Sequence, residues 1–431
     1  MNITYRRNSW RQPETKSIMK IIIVGGGFAG VRLALSLAHN IKFQVKLVDK
    51  NSYNFFPPFL YQVASKFFEP FQISSPFLEL FSGKENLSFQ KGELQRIEPT
   101  ENQIILDNGT LDYDYLVLAT GMEADFSGVK NIEENAFLMR TVDDAMALRK
   151  RLLLQIVKVS GMMEIDEFRR IMTFVVAGGG PSGVEMAALL ADLKRDIFKI
   201  SYPQLPADWC EIYLIQKDSV LLPTISDRSR QHSFKFLQDR GVKILLNTSV
   251  QDFRDGEVIL SSGAVIQTEN LIWTAGIKGR KFKGLADEVF GKQDRIRVDG
   301  YHKVVGTYNI FAIGDICLET DSAEYPEGHP QVAQVAIQQG ENLARNFQLM
   351  AEQKGLGKFI YKDPGISLLT GRMKAVVGWN KFNIHLTGKI AWVANIFLHW
   401  YPMTGHVNRY KMAFYGIRSY LFKHQSLGKM D

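Results

Sequence analysis

Apolar runs that stop abruptly at small or polar residues set the plan of this chain. Ile21-Ile22-Ile23-Val24 leads into Gly25-Gly26-Gly27-Phe28-Ala29-Gly30, and Phe174-Val175-Val176-Ala177 leads into Gly178-Gly179-Gly180-Pro181-Ser182-Gly183. Unbroken runs of branched apolar residues, closed by glycine, predict strands buried on both faces. After each glycine turn the apolar positions return at helical spacing, from Val31 to Leu37 and from Val184 to Leu193. Each helix is followed by a second strand pattern, one ending in Asp49-Lys50 and the other in Gln216-Lys217. A third strand closes each unit, at Ala119-Thr120-Gly121 and at Thr274-Ala275-Gly276. The same order thus occurs twice, an internal duplication at the level of architecture. A further buried strand over Tyr308–Ile313 ends in Gly314-Asp315.

This pattern predicts an α/β protein with two Rossmann-like dinucleotide-binding domains. In each fingerprint the first glycine permits a tight turn and the second lets backbone approach a pyrophosphate. The third lets the helix pack on the strand with its N-terminus facing the anion. One such motif is weak evidence; two, each set between a strand and a helix, predict two bound dinucleotides. Asp49 stands 19 residues after Gly30, where a ribose-binding carboxylate belongs. Asp315, at the carboxyl end of a predicted strand, is placed to hydrogen-bond a polyol chain.

Length and charge refine the plan. At 431 residues the chain exceeds one compact core. The reading divides it into a basic N-terminal extension (1–18), a discontinuous domain for the first nucleotide (19–140 and 285–375), a domain for the second (141–284) and a C-terminal region (376–431). Of the net charge of +7, most lies at the end: Lys381, Lys389, Arg409, Lys411, Arg418, Lys423 and Lys429 face a single acid, Asp431. Residues 390–401 are apolar over most of a helix circumference, but too few to span a bilayer, which takes about 20. A second helical stretch carries Tyr410, Phe414, Ile417 and Leu421 on one stripe, with Lys411 and Arg418 on another. An amphipathic, basic and aromatic helix of this kind predicts anchoring at a membrane surface. A homodimer through the same region is the alternative; nucleic acid is not expected, because no reader motif accompanies the charge.

The chemistry is narrowed by what the chain lacks. Cys210 and Cys317 form no closely spaced pair, so neither a disulfide framework nor a dithiol redox centre is expected. Histidines and cysteines show no metal-ligand spacing, and no metal is expected. Residues 1–18 lack the apolar core of a signal peptide and read as a disordered extension.

Beyond the glycine motifs, the chain resembles the type II (non-proton-pumping) NADH:quinone oxidoreductases, two-dinucleotide flavoproteins of glutathione-reductase-like fold. The resemblance spans about residues 19 to 425. It rests on Asn54-Phe55-Phe56-Pro57-Pro58-Phe59-Leu60-Tyr61-Gln62-Val63-Ala64, on Gly178 to Glu185 and on Trp273-Thr274-Ala275-Gly276. It rests also on Ala333-Gln334-Val335-Ala336-Ile337-Gln338-Gln339-Gly340 and on the segment from Gly388 through His399 to Arg409. The resemblance implies FAD on the first unit, with Asp49 at its ribose and Asp315 near its ribityl chain, and NADH on the second. It implies that Glu185 lies near the nicotinamide, and that Gln334, Gln338 and Lys374 lie near the flavin and the quinone pocket. The implied reaction is hydride transfer to FAD followed by reduction of a membrane quinone without proton pumping. Its expected place is peripheral, on the cytoplasmic face of the cell membrane or the equivalent inner organellar membrane. A sulfide:quinone oxidoreductase would need a cysteine pair, and an apoptosis-inducing-factor-like flavoprotein would bind NADH without rapid turnover. One departure stands out: Gln216-Lys217 replaces an acid where the NADH ribose is held. That change predicts weakened discrimination against the 2′-phosphate of NADPH.

Overall fold

The structure is a computed structural model, and the residues it describes are 18–400, apart from 161, 163, 197–205, 224, 372–373 and 380–383. The strand Met19–Val24 lies at the centre of a five-stranded parallel sheet, between Phe43–Asp49 and Tyr115–Leu118. Leu87–Lys91 and Ile310–Ala312 form its edges. A strand with neighbours on both sides and layers on both faces has no solvated side, and Ile21, Ile22, Ile23 and Val24 are accordingly all buried. Helices Phe28–Ser36 and Ala333–Ala351 pack together over one face, where Phe347 meets Phe311 edge-on at 5.3 Å between ring centroids.

The second unit repeats this order on a smaller scale. Phe174–Ala177 runs parallel between Ile212–Ile215 and Leu271–Trp273, with Val242–Leu245 at the edge. Helix Pro181–Asp196 follows its glycine turn. Each unit also inserts a three-stranded antiparallel meander before its closing strand: Leu94–Glu98, Gln103–Leu106 and Gly109–Asp112 in the first, Val250–Arg254, Glu257–Leu260 and Val265–Gln267 in the second. The duplication read from the strand ends therefore extends to the insertions. Where the chain leaves each sheet, Glu123–Ala124 pairs antiparallel with Ile277–Lys278 and ties the units together.

Helix Val142–Val159 opens on a reciprocal cap. The Asp144 N–H donates to Thr141 Oγ1 at 3.0 Å, and the Thr141 N–H donates to Asp144 Oδ2 at 2.8 Å. Its buried face, including Leu148, Leu152 and Ile156, packs with the second sheet in one apolar cluster.

A three-stranded antiparallel sheet, Ile366–Gly371, Lys374–Trp379 and Ile384–Thr387, precedes the closing helix Gly388–Trp400. The helix falls where the apolar run predicts it. The sheet was not anticipated, because its apolar stretches are short and interrupted. Its middle strand crosses the domain boundary expected at residue 375. Ala375, Val377 and Ala391 form the core between sheet and helix, while Ile390 (72% exposed) and Val393 (46%) face outward. Among the described residues no helix is long and apolar enough to cross a membrane. The basic N-terminal extension up to residue 17 and the aromatic, basic stretch from Tyr410 to Leu421 lie outside the described residues.

Candidate functional site

The two glycine turns are near copies. Gly25 and Gly178 sit at φ of +110° and +107°, where a side chain is strained. A Cβ on Gly30 would stand 1.9 Å from the Gly25 carbonyl oxygen, and one on Gly183 would stand 1.8 Å from that of Gly178. Only glycine lets each helix approach its strand so closely. In front of both turns, at Gly27 and Gly180, a Cβ would meet nothing, so each loop faces open space. Helix Phe28–Ser36 starts at Gly27 with no side-chain cap, which leaves Phe28, Ala29 and Gly30 N–H groups at the site available to an anion.

Asp49 closes the first turn. Its Oδ2 accepts the Gly26 N–H at 2.6 Å and its Oδ1 accepts the Asn51 N–H at 2.7 Å. Burial pushes its carboxyl above the usual range, opposed by those N–H groups and by neighbouring Lys50, which is itself exposed. Thr120, at the end of the closing strand beside Ala119 and Gly121, carries a buried hydroxyl without a partner among the described residues. Its counterpart Thr274 spends its hydroxyl on the Ala177 carbonyl at 2.7 Å. A buried, unsatisfied hydroxyl is costly unless a ligand meets it. The open turn, the uncapped helix, the Asp49 carboxylate and the Thr120 hydroxyl together fit a dinucleotide such as FAD.

Asp315 lies at the same end of the sheet. Burial raises its carboxyl, and the guanidinium groups of Arg295 and Arg140 oppose that shift. Arg295 Nε donates to the Asp315 carbonyl at 3.0 Å, and its Nη2 donates to the carbonyls of both Cys317 and His329. Arg140 donates to the Met122 carbonyl. Neither arginine belongs to a motif, and sequence reasoning missed both. It also missed Gln339. Of the glutamines in the 333–340 run, Gln339 is the fully buried one, and its Oε1 accepts the Gly314 N–H at 2.7 Å, fixing the turn that presents Asp315. Gln338 instead clamps the chain at Lys362, donating to its carbonyl at 2.8 Å and accepting its N–H at 3.0 Å. Ala333 opens the helix, and Gln334 is half-buried on its first turn.

In the second unit Gln216 takes the place of Asp49. It is buried, and its Oε1 accepts the Gly179 N–H at 2.7 Å. Its Nε2 donates to Asp218 Oδ2 at 2.6 Å, a carboxylate the sequence reading did not weigh. Lys217 is exposed. Gly276 approaches Asp125, whose carbonyl would stand 2.7 Å from a Cβ there, and Ala275 lies against Gly178.

The segment after Asp49 joins the two turns. Asn54 Nδ2 donates to the Gly26 carbonyl at 2.7 Å, and Phe56 packs edge-on against Phe28 at 5.5 Å. A few residues on, the buried Tyr61 lies beside Ser182, next to Pro181 at the opening of the second helix. Glu185 lies beside Tyr61 and accepts the Leu369 N–H at 2.9 Å. Burial pushes its carboxyl up to about 7, the Leu369 N–H opposing the shift. Lys374 lies on the neighbouring strand of that C-terminal sheet; its side chain is outside the described residues.

Cys210 and Cys317 are both free, buried in different apolar clusters, and burial pushes each thiol up to about 12. They cannot act as a dithiol pair. Among the described residues no group of His, Cys, Asp or Glu is arranged to hold a metal. Behind Asp315 lies a buried polar cluster in which His329 Nε2 meets Glu319 Oε2 at 2.8 Å. The neighbouring His302 is fully buried, and its imidazole nitrogens have no hydrogen-bond partner among the described residues.

Fold and site together define a class: proteins that bind two dinucleotides on tandem Rossmann units. A family model described as pyridine nucleotide-disulphide oxidoreductase matches residues 19–340, and the chain belongs to that family. It is 27% identical over 397 residues to the type II NADH:quinone oxidoreductase Ndh of Mycobacterium tuberculosis, covering 88% of this chain and 83% of that one. It is 27% identical to the internal alternative NAD(P)H-ubiquinone oxidoreductase A1 of Arabidopsis thaliana mitochondria, with 86% and 78% covered. The resemblance read from the sequence is thus borne out by these relatives. The fold matches that of NDH2 from Plasmodium falciparum in complex with NADH, with a TM-score of 0.86 at 20% identity over 94% of this chain and 99% of that one. It matches the sulfide:quinone oxidoreductase of Aquifex aeolicus less closely, with a TM-score of 0.71 at 18% identity over 89% of this chain and 90% of that one.

Proposed function

We propose that this chain is a type II NADH:quinone oxidoreductase, a membrane-peripheral flavoenzyme that oxidises a reduced nicotinamide dinucleotide and reduces a quinone without pumping protons. The observation that carries the reading is the bridge between the glycine turns, from Asn54 at Gly26 to Tyr61 at Ser182, in a chain with no thiol pair.

In this reading residues 19–140 and 285–375 form the FAD domain, 141–284 the nicotinamide domain and 376–431 the membrane-anchoring region. Gly25, Gly27, Phe28, Ala29 and Gly30 receive the FAD pyrophosphate, Asp49 and Lys50 its adenosine end, and Ala119, Thr120, Gly121, Gly314 and Asp315 its polar chain. Gly178, Gly180, Pro181, Ser182 and Gly183 receive the nicotinamide dinucleotide, with Gln216, Lys217, Ala275 and Gly276 along it. FAD, when bound, supplies the ring that takes a hydride from the nicotinamide and passes two electrons to the quinone. The protein's part is to stack, orient and exclude water. Arg140 sets a cation between Asp315 and Tyr61 at the junction of the units, and Glu185 supplies a carboxyl that changes charge near neutral pH. Ala333 lies along the bound cofactor, and Gln334, Gln338 and Lys374 lie near the flavin and the quinone pocket. The outward Ile390 and Val393 support a lipid-facing role for the closing helix, since exposed apolar side chains beside a basic tail suit an anionic bilayer surface.

The test is turnover by the flavin-loaded protein with NADH, NADPH or sulfide as donor and one water-soluble quinone analogue as acceptor. Nicotinamide-dependent quinone reduction without sulfide-dependent reduction is expected. Sulfide oxidation, or nicotinamide binding without turnover, overturns the reading.

A further inference from the structure

The amide of Gln216 removes a negative charge from the end of its strand, but the loop behind it restores one. Gln216 has a single acceptor end, and the Gly179 N–H occupies it at 2.7 Å. Its donor end is therefore fixed outward, where it meets Asp218 Oδ2 at 2.6 Å. In the first unit one residue, Asp49, both braces the glycine turn and presents the charge. In the second unit the two tasks are divided, and the carboxylate stands one side chain further out.

The loop that carries Asp218 is pinned at both ends. Its carbonyl accepts the Asn247 N–H at 3.1 Å, and the Leu222 N–H, from a residue at φ of +51°, donates to the Gly179 carbonyl at 2.9 Å. Asp218 is exposed, and its second carboxylate oxygen remains to accept a ribose hydroxyl. Lys217 is exposed too, but it makes no hydrogen bond or ion pair among the described residues. A lysine on a flexible stem loses rotamer freedom when it fixes a phosphate, whereas the carboxylate is already held.

We propose that Asp218, braced by Gln216, reads the 2′ position of the nicotinamide dinucleotide and selects NADH over NADPH. This rests on the reading of the second unit as the nicotinamide site. A ribose diol donates to the carboxylate; a 2′-phosphate brings two negative charges against it. At such short range the repulsion amounts to about ten- to a hundredfold in affinity. The Gln216-Lys217 pair alone predicts tolerance of the 2′-phosphate, and Asp218 reverses that expectation.

The experiment measures dissociation constants of NAD⁺ and NADP⁺ by titration calorimetry on the flavin-loaded protein, and rates of flavin bleaching by NADH and NADPH. The wild type is expected to favour the unphosphorylated dinucleotide by about tenfold or more. Asp218→Asn keeps the hydrogen bond from Gln216 and removes the charge, and is expected to shift the ratio about tenfold towards the phosphorylated form. Asp218→Glu is expected to keep the preference. If wild type binds both equally, or if D218N leaves the ratio unmoved while both still bind, the role of Asp218 is overturned and the site reading stands. If neither dinucleotide binds at millimolar concentration, the site reading fails and this assignment with it.

Discussion

Gln216 holds in the second unit the position that Asp49 holds in the first: each side-chain oxygen accepts the N–H of the middle glycine of its turn, Gly179 at 2.7 Å and Gly26 at 2.6 Å. The brace is common to both units, and the charge is not. In the first unit the acid itself stands at the site, whereas the amide of the second passes its outer hydrogen bond to the neighbouring Asp218.

Asp49→Ala removes both the brace and the carboxylate. A charge-assisted hydrogen bond to a partly buried N–H contributes about 1.5–3 kcal/mol. The purified variant is therefore expected to retain FAD about ten- to a hundredfold more weakly than wild type. Flavin absorbance per protein after dialysis measures it.

Gln339→Leu leaves the buried Gly314 N–H unpaired, at a cost of about 1–3 kcal/mol. The variant is expected to melt several degrees lower and to lose FAD more readily, because the turn presenting Asp315 loosens. Gln338→Leu, which releases the more exposed clamp at Lys362, is expected to cost less. Thermal melts with and without added FAD separate the two.

Glu185 carries a carboxyl raised to about 7 from an ordinary 4.5. Between those values the folded protein holds a proton that the unfolded chain has released, so this group's stabilisation is full below 4.5 and is lost as pH rises through 7. Glu185→Gln is expected to flatten the decline in melting temperature between pH 5 and pH 8. A wild-type decline that the variant reproduces would remove Glu185 as its source.

His302 behaves in the opposite sense. Complete burial lowers its imidazole to about 3, with Glu319 opposing and His329 adding to the shift, so it stays neutral in the fold while the unfolded residue protonates near 6.5. Stability is therefore lost as pH falls below 6.5, by about 2 kcal/mol at pH 5. His302→Phe, which keeps a ring against Phe359, is expected to resist acid better than wild type in denaturant titrations at pH 5.

The legibility of this chain followed periodicity and spacing. The two strand, glycine turn and helix units were readable because a strand buried on both faces must be apolar throughout, and because no residue but glycine tolerates the turn. Asp49 was readable because its distance from Gly30 is set by one helix and one strand. The C-terminal sheet was missed, since strands as short as Ile384–Thr387 carry too few alternations to stand out. Gln339 was missed beside Gln334 and Gln338 because a helix run shows its glutamines equally, and only packing selects the one that faces inward.

By itself, then, the sequence determined the doubled architecture, the two nucleotide turns, the absence of a dithiol and the basic, aromatic end. These depend on local sterics, short-range order and composition, which a linear string records. Only the tertiary structure decided which groups meet: Tyr61 with Ser182, Arg140 near Asp315, Gln339 with Gly314, and Gln216 with Asp218. The first three pairs are brought together by long-range closure of sheets and helices. The last lies two residues apart, yet the direction of an amide is set by the glycine N–H it must satisfy, and that constraint comes from the strand beside it.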